Sequence, residues 1–208
     1  MLILICAALP SELKIIKQEI KKSNLRGLKI DFLLTWVWVL NASYAIKNYI
    51  SKKKKPDFIV NIWVCGKITS KWGDFFQVYR IKNISNNREV ICPIYVHIFW
   101  LESLACSDKI ITNTPELWEE IFVDMESFWI DFICEKEKIP YVMIKKPFDR
   151  VSKGSKNVSL QDLENTLSEW LDGENIINKI VDFLEKNKKN IFIEEKVLAI
   201  KEKFQLTF

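Results

Sequence analysis

The sequence has few of the features that commit a chain to a disulfide-linked or membrane-spanning class. Its five cysteines are odd in number and show no C-x-x-C spacing, so we expect reduced core residues of a cytoplasmic protein. The apolar run FLLTWVWVL at 32–40 is shorter than the roughly 20 residues that cross a bilayer. The opening MLILICAALP has no basic leader and indicates a buried strand. We therefore expect a soluble protein with no membrane partner.

Blocks of one charge are also scarce. The net charge of +4 comes from 31 basic and 27 acidic residues that are largely intermixed, which is typical of a solvated surface. The only dense basic block, SKKKKPD at 51–57, does not alternate with aromatic residues and indicates a helix end and a turn. The single histidine, His97, lies in the apolar run IYVHIFW, where a structural strand residue is expected. A nucleic-acid partner is not expected.

Apolar patterns predict an α/β fold. With 208 residues and 49% hydrophobic content, the chain can bury the core of a single domain over 1–208. Strand-like and helical patterns alternate, which favours three layers with helices on both faces of a central sheet. The region 75–99 resembles a β-meander, so the sheet should be mixed. Strands are predicted at 2–8, 29–39, 58–65, 75–82, 89–99 and 140–146, and helices from Pro10 and at 41–53, 115–121, 126–138, 160–171 and 174–187.

Acidic residues lie at the ends of two of the predicted strands and of one further short strand before the helix at 126–138. The first strand leads into Glu12, a later one ends in Asp124-Met125-Glu126, and the last leads into Asp149. Ligands of open α/β sheets bind at the carboxyl ends of the strands, so we expect these carboxylates on one rim. Each also has a structural interpretation, because acids favour the first turn of a helix and aspartate favours turns. Local spacing alone leaves both interpretations open.

These segments resemble the nucleoside phosphorylase and nucleosidase superfamily, most closely methylthioadenosine/S-adenosylhomocysteine nucleosidase. The most specific match is VDME at 123–126, followed by a helix, the proline-containing strand KIPYVMIK and an aspartate. ILICAALPSEL resembles the first strand of the family with its acidic turn, and NASYAI resembles the residues after a glycine loop. PDFIVNIWVCGKI and WGDFF resemble the strand and turn that come next. The matches occur in the family's order along the chain.

The resemblance implies a nucleoside phosphorylase-like domain that hydrolyses the bond between ribose and a purine. Such cleavage needs an acid at the leaving purine and an activated water at the sugar. By resemblance, Glu12 orients the water and Asp149 supplies the proton at purine N7. Glu126 accepts hydrogen bonds from the ribose hydroxyls, and Met125 packs against the sugar. The expected ligand is a small-molecule nucleoside, the expected assembly is a homodimer, and no metal ion or other cofactor is expected.

Tryptophans stand where the family has glycines. Trp36 and Trp38 precede NASYAI, and Trp63 lies in the next expected turn. Glycine permits positive φ and lets backbone amides approach a ligand, which tryptophan cannot reproduce. We therefore expect Trp36, Trp38 and Trp63 to line an altered pocket, to form a dimer interface, or to fill the core. Phe148 replaces the serine that often precedes the catalytic aspartate, which changes adenine recognition.

Two functions remain open from the sequence. Ile110 and Ile111 fall where the family binds its purine and form either a wall of the base pocket or ordinary core. The lost glycines and the presence of only four arginines disfavour a phosphate pocket, so hydrolysis is favoured over phosphorolysis. The retained carboxylates favour a hydrolase. The tryptophans favour a noncatalytic nucleosidase-like protein that binds a ligand or partner, and between the two we favour the enzyme.

Overall fold

The computed structural model describes residues 1–22, 28–36, 41–68, 74–111, 121–151, 162, 165–167 and 172–187. The strands are β1 (Leu2–Ala7), β2 (Lys29–Leu34), β3 (Phe58–Lys67), β4 (Phe76–Asn83), β5 (Arg88–Ile91), β6 (Leu101–Cys106), β7 (Phe122–Asp124) and β8 (Tyr141–Arg150). The helices described from end to end are α1 (Pro10–Lys22), α2 (Asn41–Lys52), α3 (Ser127–Glu137) and α4 (Gly173–Lys186). The α/β class predicted from the sequence is confirmed.

The strands form one sheet of eight strands, which is mixed, as predicted. Its order is β2-β1-β3-β7-β6-β4-β5, and β8 pairs with both β3 and β4. β1 is parallel to β2 and β3, and β3 is parallel to β8. β3 is antiparallel to β7, and β4 is antiparallel to β8. Because β7 also pairs with β6 and β6 with β4, the strands β3, β8, β4, β6 and β7 close into a cycle, which curls this half of the sheet into a small barrel.

Helices cover both faces of the sheet. Successive side chains of a strand point to opposite faces of the sheet. The contacts of two neighbouring β2 residues therefore show which helix covers each face. The carboxylate of Asp31 accepts a hydrogen bond from Tyr49 of α2, whereas the ring of Phe32 lies 5.2 Å from Lys17 Nζ of α1. α1 also contacts α4, and α2 contacts α3. The arrangement agrees with the predicted three layers.

The prediction of a strand over 89–99 is wrong beyond Ile91. The chain leaves the sheet there, although Tyr95, Val96 and Ile98 are buried. The side-chain amide of Gln77 accepts from the Ile98 N–H at 3.0 Å and donates to the Val96 carbonyl at 2.8 Å. These bonds satisfy buried backbone groups without a neighbouring strand. His97 is therefore an exposed loop residue rather than a strand residue, and the expected meander is a hairpin of β4 and β5 followed by β6, which is parallel to β4.

Other boundaries differ by a few residues. β2 ends at Leu34 rather than at residue 39, and β8 continues past residue 146 to Arg150. The predicted helix at 115–121 lies outside the described residues except for Ile121, which is not helical. Of the predicted helix at 160–171, residues 162 and 165–167 are described and helical. Trp38 lies outside the described residues.

The five cysteines are all buried free thiols, as the sequence predicted.

The sequence of α4 has the features of a stable amphipathic helix. Its apolar stripe is buried, and the side chain of Asp172 caps the first turn by accepting from the Asn175 N–H at 3.0 Å. Among the helices that the structure describes, none combines the length and the hydropathy needed to span a membrane.

Candidate active site

A gap along one edge of β3 is the starting point of the site. The Ile59 N–H donates to the Pro140 carbonyl and so faces the edge of β3 that pairs with β8. The N–H groups of successive strand residues point to alternate edges. The Val64 N–H, five residues further on, therefore faces the other edge. β1 occupies the first part of that opposite edge, with its last paired residue Cys6 opposite Asn61. β7 occupies the last part, beginning where Val123 lies opposite Gly66. Among the described residues, no strand therefore lies beside this edge of β3 between Asn61 and Cys65.

The carboxylate of Glu12 fills this gap. Its Oε1 accepts from the Val64 N–H at 3.2 Å, and its Oε2 accepts from the Leu9 N–H at 2.8 Å. The second bond is the reach-back contact of a capping box, since the Leu9 carbonyl accepts the first hydrogen bond of α1. Glu12 is only 1% exposed. One side chain thus caps α1 and satisfies the Val64 N–H on this edge of β3.

Burial raises the pKa of Glu12 to about 7. Hydrogen bonds from the backbone of Leu9, Val64 and Ala8, together with the charge of Lys145, oppose the rise. The carboxyl therefore exchanges its proton near neutral pH. This is the range in which a general acid or base is most effective.

The expectation that three strand ends share one rim is wrong for β7. β7 runs antiparallel to β3, so its carboxyl end points the other way from those of β1 and β8. It still reaches the gap, because continuing the register places Asp124 beside Cys65. Met125 and Glu126 follow in the turn that begins α3. The acidic segments after β1 and in β7 thus meet along the same few residues of β3, from opposite directions.

Glu126 is buried and Met125 is half-buried in this turn. Glu126 occupies the N-cap position of α3 but makes no side-chain capping bond. Its Oε2 accepts instead from the Met125 N–H at 3.2 Å. Capping is performed by Asp124, whose carboxylate accepts from the Ser127 N–H at 3.2 Å and from the Ser127 hydroxyl at 2.5 Å. The Glu126 carboxylate is therefore held close to its own backbone rather than used to start the helix.

A buried ion pair crosses the barrel, and sequence reasoning missed it. Lys145 Nζ lies 2.8 Å from Asp124 Oδ2, and both side chains are almost fully buried. Lys145 Nζ also donates to Asn61 Oδ1 at 3.0 Å and lies 3.7 Å from the ring centre of Trp63. Trp63 Nε1 donates to Asp124 Oδ2 at 3.3 Å. The charge is thus surrounded by hydrogen-bonding partners and by one aromatic face.

Trp63 lies in this network because β3 continues where a glycine-rich turn was expected. Trp63 is 1% exposed and lies opposite Lys145 in the sheet register, on the same face. Of the expected glycines of the turn, Gly66 is present. A Cβ there would lie 3.1 Å from Val123 Cγ1 and 3.3 Å from Val151 Cγ2. The close approach of these two side chains explains why a glycine suits this position.

A β-bulge lies across from Gly66 on β8. Cys65 pairs with Pro147 and Lys67 pairs with Arg150, so Phe148 and Asp149 together oppose a single residue of β3. Bulges often occur beside active sites, where they change the direction of a side chain. Phe148 is half-buried and packs against the main core. The backbone of Asp149 is described, whereas its side chain lies outside the described residues.

The remaining predicted site residues lie apart from this network. Trp36 is 57% exposed, has a positive φ of 62°, and lines an open cleft of about 510 Å³ between β2 and α2. Ile110 is 61% exposed, whereas Ile111 is buried in a small cluster with Val123 and other apolar residues. In the described part of the chain, no cluster of three metal-ligating side chains is found.

Solved structures of nucleosidases share this fold. The 5′-methylthioadenosine/S-adenosylhomocysteine nucleosidase of Campylobacter jejuni superimposes with a TM-score of 0.68 at 12% identity, covering 89% of this chain and 99% of that chain. That of Neisseria meningitidis, in complex with methylthio-immucillin-A, gives 0.67 at 13%, covering 86% and 98%. The apo 5′-methylthioadenosine nucleosidase of Arabidopsis thaliana gives 0.63 at 15%, covering 91% and 97%. No protein-family model and no curated protein sequence matches the chain.

At sequence identities of 12–15%, the similarity to these structures shows the fold of this chain. The chain has the architecture of the methylthioadenosine/S-adenosylhomocysteine nucleosidases over nearly the full length of those enzymes. The resemblance in fold noted from VDME and ILICAALPSEL is thereby confirmed.

Proposed function

We propose that this chain is a purine-nucleoside N-ribosyl hydrolase, similar to methylthioadenosine/S-adenosylhomocysteine nucleosidase but with an altered substrate pocket. The observation that carries the proposal is Glu12. Its buried carboxyl, with a pKa of about 7, lies in the gap of β3 next to the strand that leads into Glu126. The neighbouring structures of nucleosidases, one of them holding methylthio-immucillin-A, support the same assignment.

In this proposal the two glutamates act on the sugar. Glu12 in its ionised form orients and activates the attacking water, since at neutral pH a large fraction is ionised. Glu126 accepts hydrogen bonds from the ribose hydroxyls, and Met125 packs against the sugar. Asp149, at the β8 bulge, supplies the proton to the leaving purine. Hydrolysis is favoured over phosphorolysis because β3 carries Trp63 where a glycine turn would present amides to phosphate.

The base side of the pocket is the part that differs. Phe148 stands where the family often carries serine, and we propose that Phe148, Trp36, Ile110 and Ile111 give the pocket its shape. Trp63, which is 1% exposed and lies against Lys145 and Asp124, acts on the pocket through these two residues. We further propose one domain over 1–208 and a cytoplasmic location, supported by the five free thiols.

The proposal predicts release of free base from a purine nucleoside without added phosphate. Methylthioadenosine, S-adenosylhomocysteine, adenosine and inosine would each be incubated with the protein, and the free base would be measured by chromatography. Glu12→Gln removes the ionisable carboxyl and should slow release by about 10²–10⁴-fold. Asp149→Asn removes the proposed acid and should slow it by a similar factor. A rate that requires phosphate would contradict hydrolysis.

A noncatalytic nucleosidase-like binding protein is the second candidate. It is favoured by the hydrogen bonds of Glu12, because both of its carboxylate oxygens already accept backbone N–H groups. In that case calorimetric titration would detect binding of one of these nucleosides. No base would appear even after long incubation, and Glu12→Gln would leave affinity unchanged.

Trp36 offers a test of the proposed homodimer. An exposed tryptophan at a φ of 62° combines an unfavourable backbone conformation with a large apolar surface, which suits an interface anchor. Trp36→Gly should weaken the dimer by about 2 kcal/mol, measured by sedimentation over a range of protein concentrations. The monomer should keep its stability, because glycine relieves the left-handed strain. Trp36→Phe, which keeps an aromatic anchor, is the matched control. If the wild type and both variants dissociate equally, Trp36 is not part of a dimer interface.

A further inference from the structure

We propose that Trp63 and Lys145 are positioning residues: through the carboxylate of Asp124 they fix the turn that holds Glu126. The part of this inference that concerns the ribose rests on the proposed function. The part that concerns the turn rests only on the contacts of the described residues. The family resemblance assigns no such part to Trp63, which stands at a glycine position.

One oxygen atom of β7 is bonded to two other strands of the barrel and to helix α3. Asp124 Oδ2 accepts from Lys145 Nζ of β8 at 2.8 Å, from Trp63 Nε1 of β3 at 3.3 Å and from the Ser127 hydroxyl of α3 at 2.5 Å. Asp124 and Lys145 are nearly inaccessible to solvent, so these bonds do not compete with water. The position of Asp124 is therefore set by side chains of two neighbouring strands, β3 and β8.

The same carboxylate closes the turn that contains Glu126. Asp124 accepts from the Ser127 N–H, and the Glu126 carbonyl accepts from the Trp129 and Ile130 N–H groups at 3.0 Å each. Glu126 thus lies between a residue tied to the barrel and the first turn of α3. Movement of Asp124 would carry Glu126 with it. Displacements of about 1 Å in a site can change rates by about 10²-fold.

Trp63 is suited to this task by more than its size. Trp63 lies opposite Lys145 in the sheet, so Lys145 Nζ lies 3.7 Å from the ring centre of the indole. The indole N–H donates at the same time to Asp124. Lys145 Nζ is held from a third side by Asn61 Oδ1 at 3.0 Å. Phenylalanine at position 63 would keep an aromatic face for Lys145 but would lose the donor to Asp124. Trp63→Phe therefore removes one named hydrogen bond.

Hydrogen exchange tests the claim about the turn without any ligand. In Trp63→Phe and in Ser127→Ala, each lacking one donor to Asp124, amides at 124–130 should exchange about fivefold faster than in the wild type. Amides of β1 and β2 should be unchanged. Trp129→Phe is the matched control, because this indole lies in α3 and packs against Phe128 and Phe132. Wild-type exchange at 124–130 in both variants, or an equal rise throughout the chain, would overturn the inference.

A pair of ligands tests the claim about the ribose. Adenosine and 2′,3′-dideoxyadenosine differ only in the hydroxyls that Glu126 is proposed to bind. Trp63→Phe should weaken adenosine binding about fivefold and leave the dideoxy analogue unchanged, as measured by calorimetry. Equal weakening of both ligands would overturn the positioning of Glu126 while leaving the proposed function intact. A wild-type protein that binds neither adenosine nor methylthioadenosine would overturn the proposed function and the ribose claim together, and the exchange data would still decide the claim about the turn.

Discussion

Lys145→Met should lower the free energy of unfolding by about 3–5 kcal/mol, measured by urea denaturation. The substitution leaves the Asp124 carboxylate buried without its cation, and a buried unpaired charge is among the costliest defects in a folded protein. Methionine is unbranched and only one heavy atom shorter than lysine, so loss of packing contributes little. The predicted loss is a large fraction of the stability of a typical domain.

Two further variants separate the charge from other effects. Adding Asp124→Asn to Lys145→Met removes the orphaned charge and keeps an acceptor for Ser127, so the double variant should be more stable than Lys145→Met alone. Lys53→Met breaks an ion pair of 3.2 Å with Asp31 in which the lysine side chain is 58% exposed. That surface pair should cost no more than about 1 kcal/mol. Equal losses in Lys53→Met and Lys145→Met would contradict a special contribution from the buried pair.

Glu12 should make the stability of the protein depend on pH. Its pKa rises from 4.5 to about 7 on folding because burial disfavours the charged form. The folded state therefore holds the proton more tightly than the unfolded state does. The resulting stabilisation is fully present below pH 4.5 and is lost as the pH rises through about 7. By pH 8 the loss amounts to about 3 kcal/mol.

Comparison with Glu12→Gln isolates this contribution. Glutamine cannot ionise, and its NH₂ group would face one of the two backbone N–H donors, so the variant should be less stable than the wild type at pH 5. The difference should shrink towards pH 8 as Glu12 ionises in the wild type. Unfolding in urea at pH 5, 6, 7 and 8 measures it, and subtracting one protein from the other cancels the other titrating groups. Parallel stability curves would show that Glu12 does not titrate in this range.

The sequence predicted the parts of the site that follow local rules. Glu12 follows an apolar strand and begins a helix, and Asp124-Met125-Glu126 end a short strand before another helix. Both patterns need only a few neighbouring residues to recognise. The direction of β7 could not be predicted in this way, because strand direction within a sheet depends on partners far along the chain.

Lys145 was missed for a related reason. The predicted strand at 140–146 contains Lys145 and ends before Pro147, whereas β8 continues through this proline to Arg150. It can do so because Lys145 finds its counter-charge on Asp124, in another strand, and because a bulge follows Pro147. The available signal was the pair of lysines within an otherwise apolar run.

β6 was missed because Glu102 and Ser103 interrupt its pattern, and the first half of that strand is only half-buried.

The closed cycle of strands has a consequence for how the chain folds during synthesis. β1, β2 and β3 can pair as soon as they emerge, because they are close in sequence. The cycle closes only through β8, which joins β3 to β4 and lies at residues 141–150. Until then β3 and β4 each lack a neighbour, and a long chain segment must be ordered before closure compensates for its lost entropy. A chain synthesised only as far as residue 140 therefore lacks the partner of these two strand edges, and unpaired edges favour aggregation and chaperone binding.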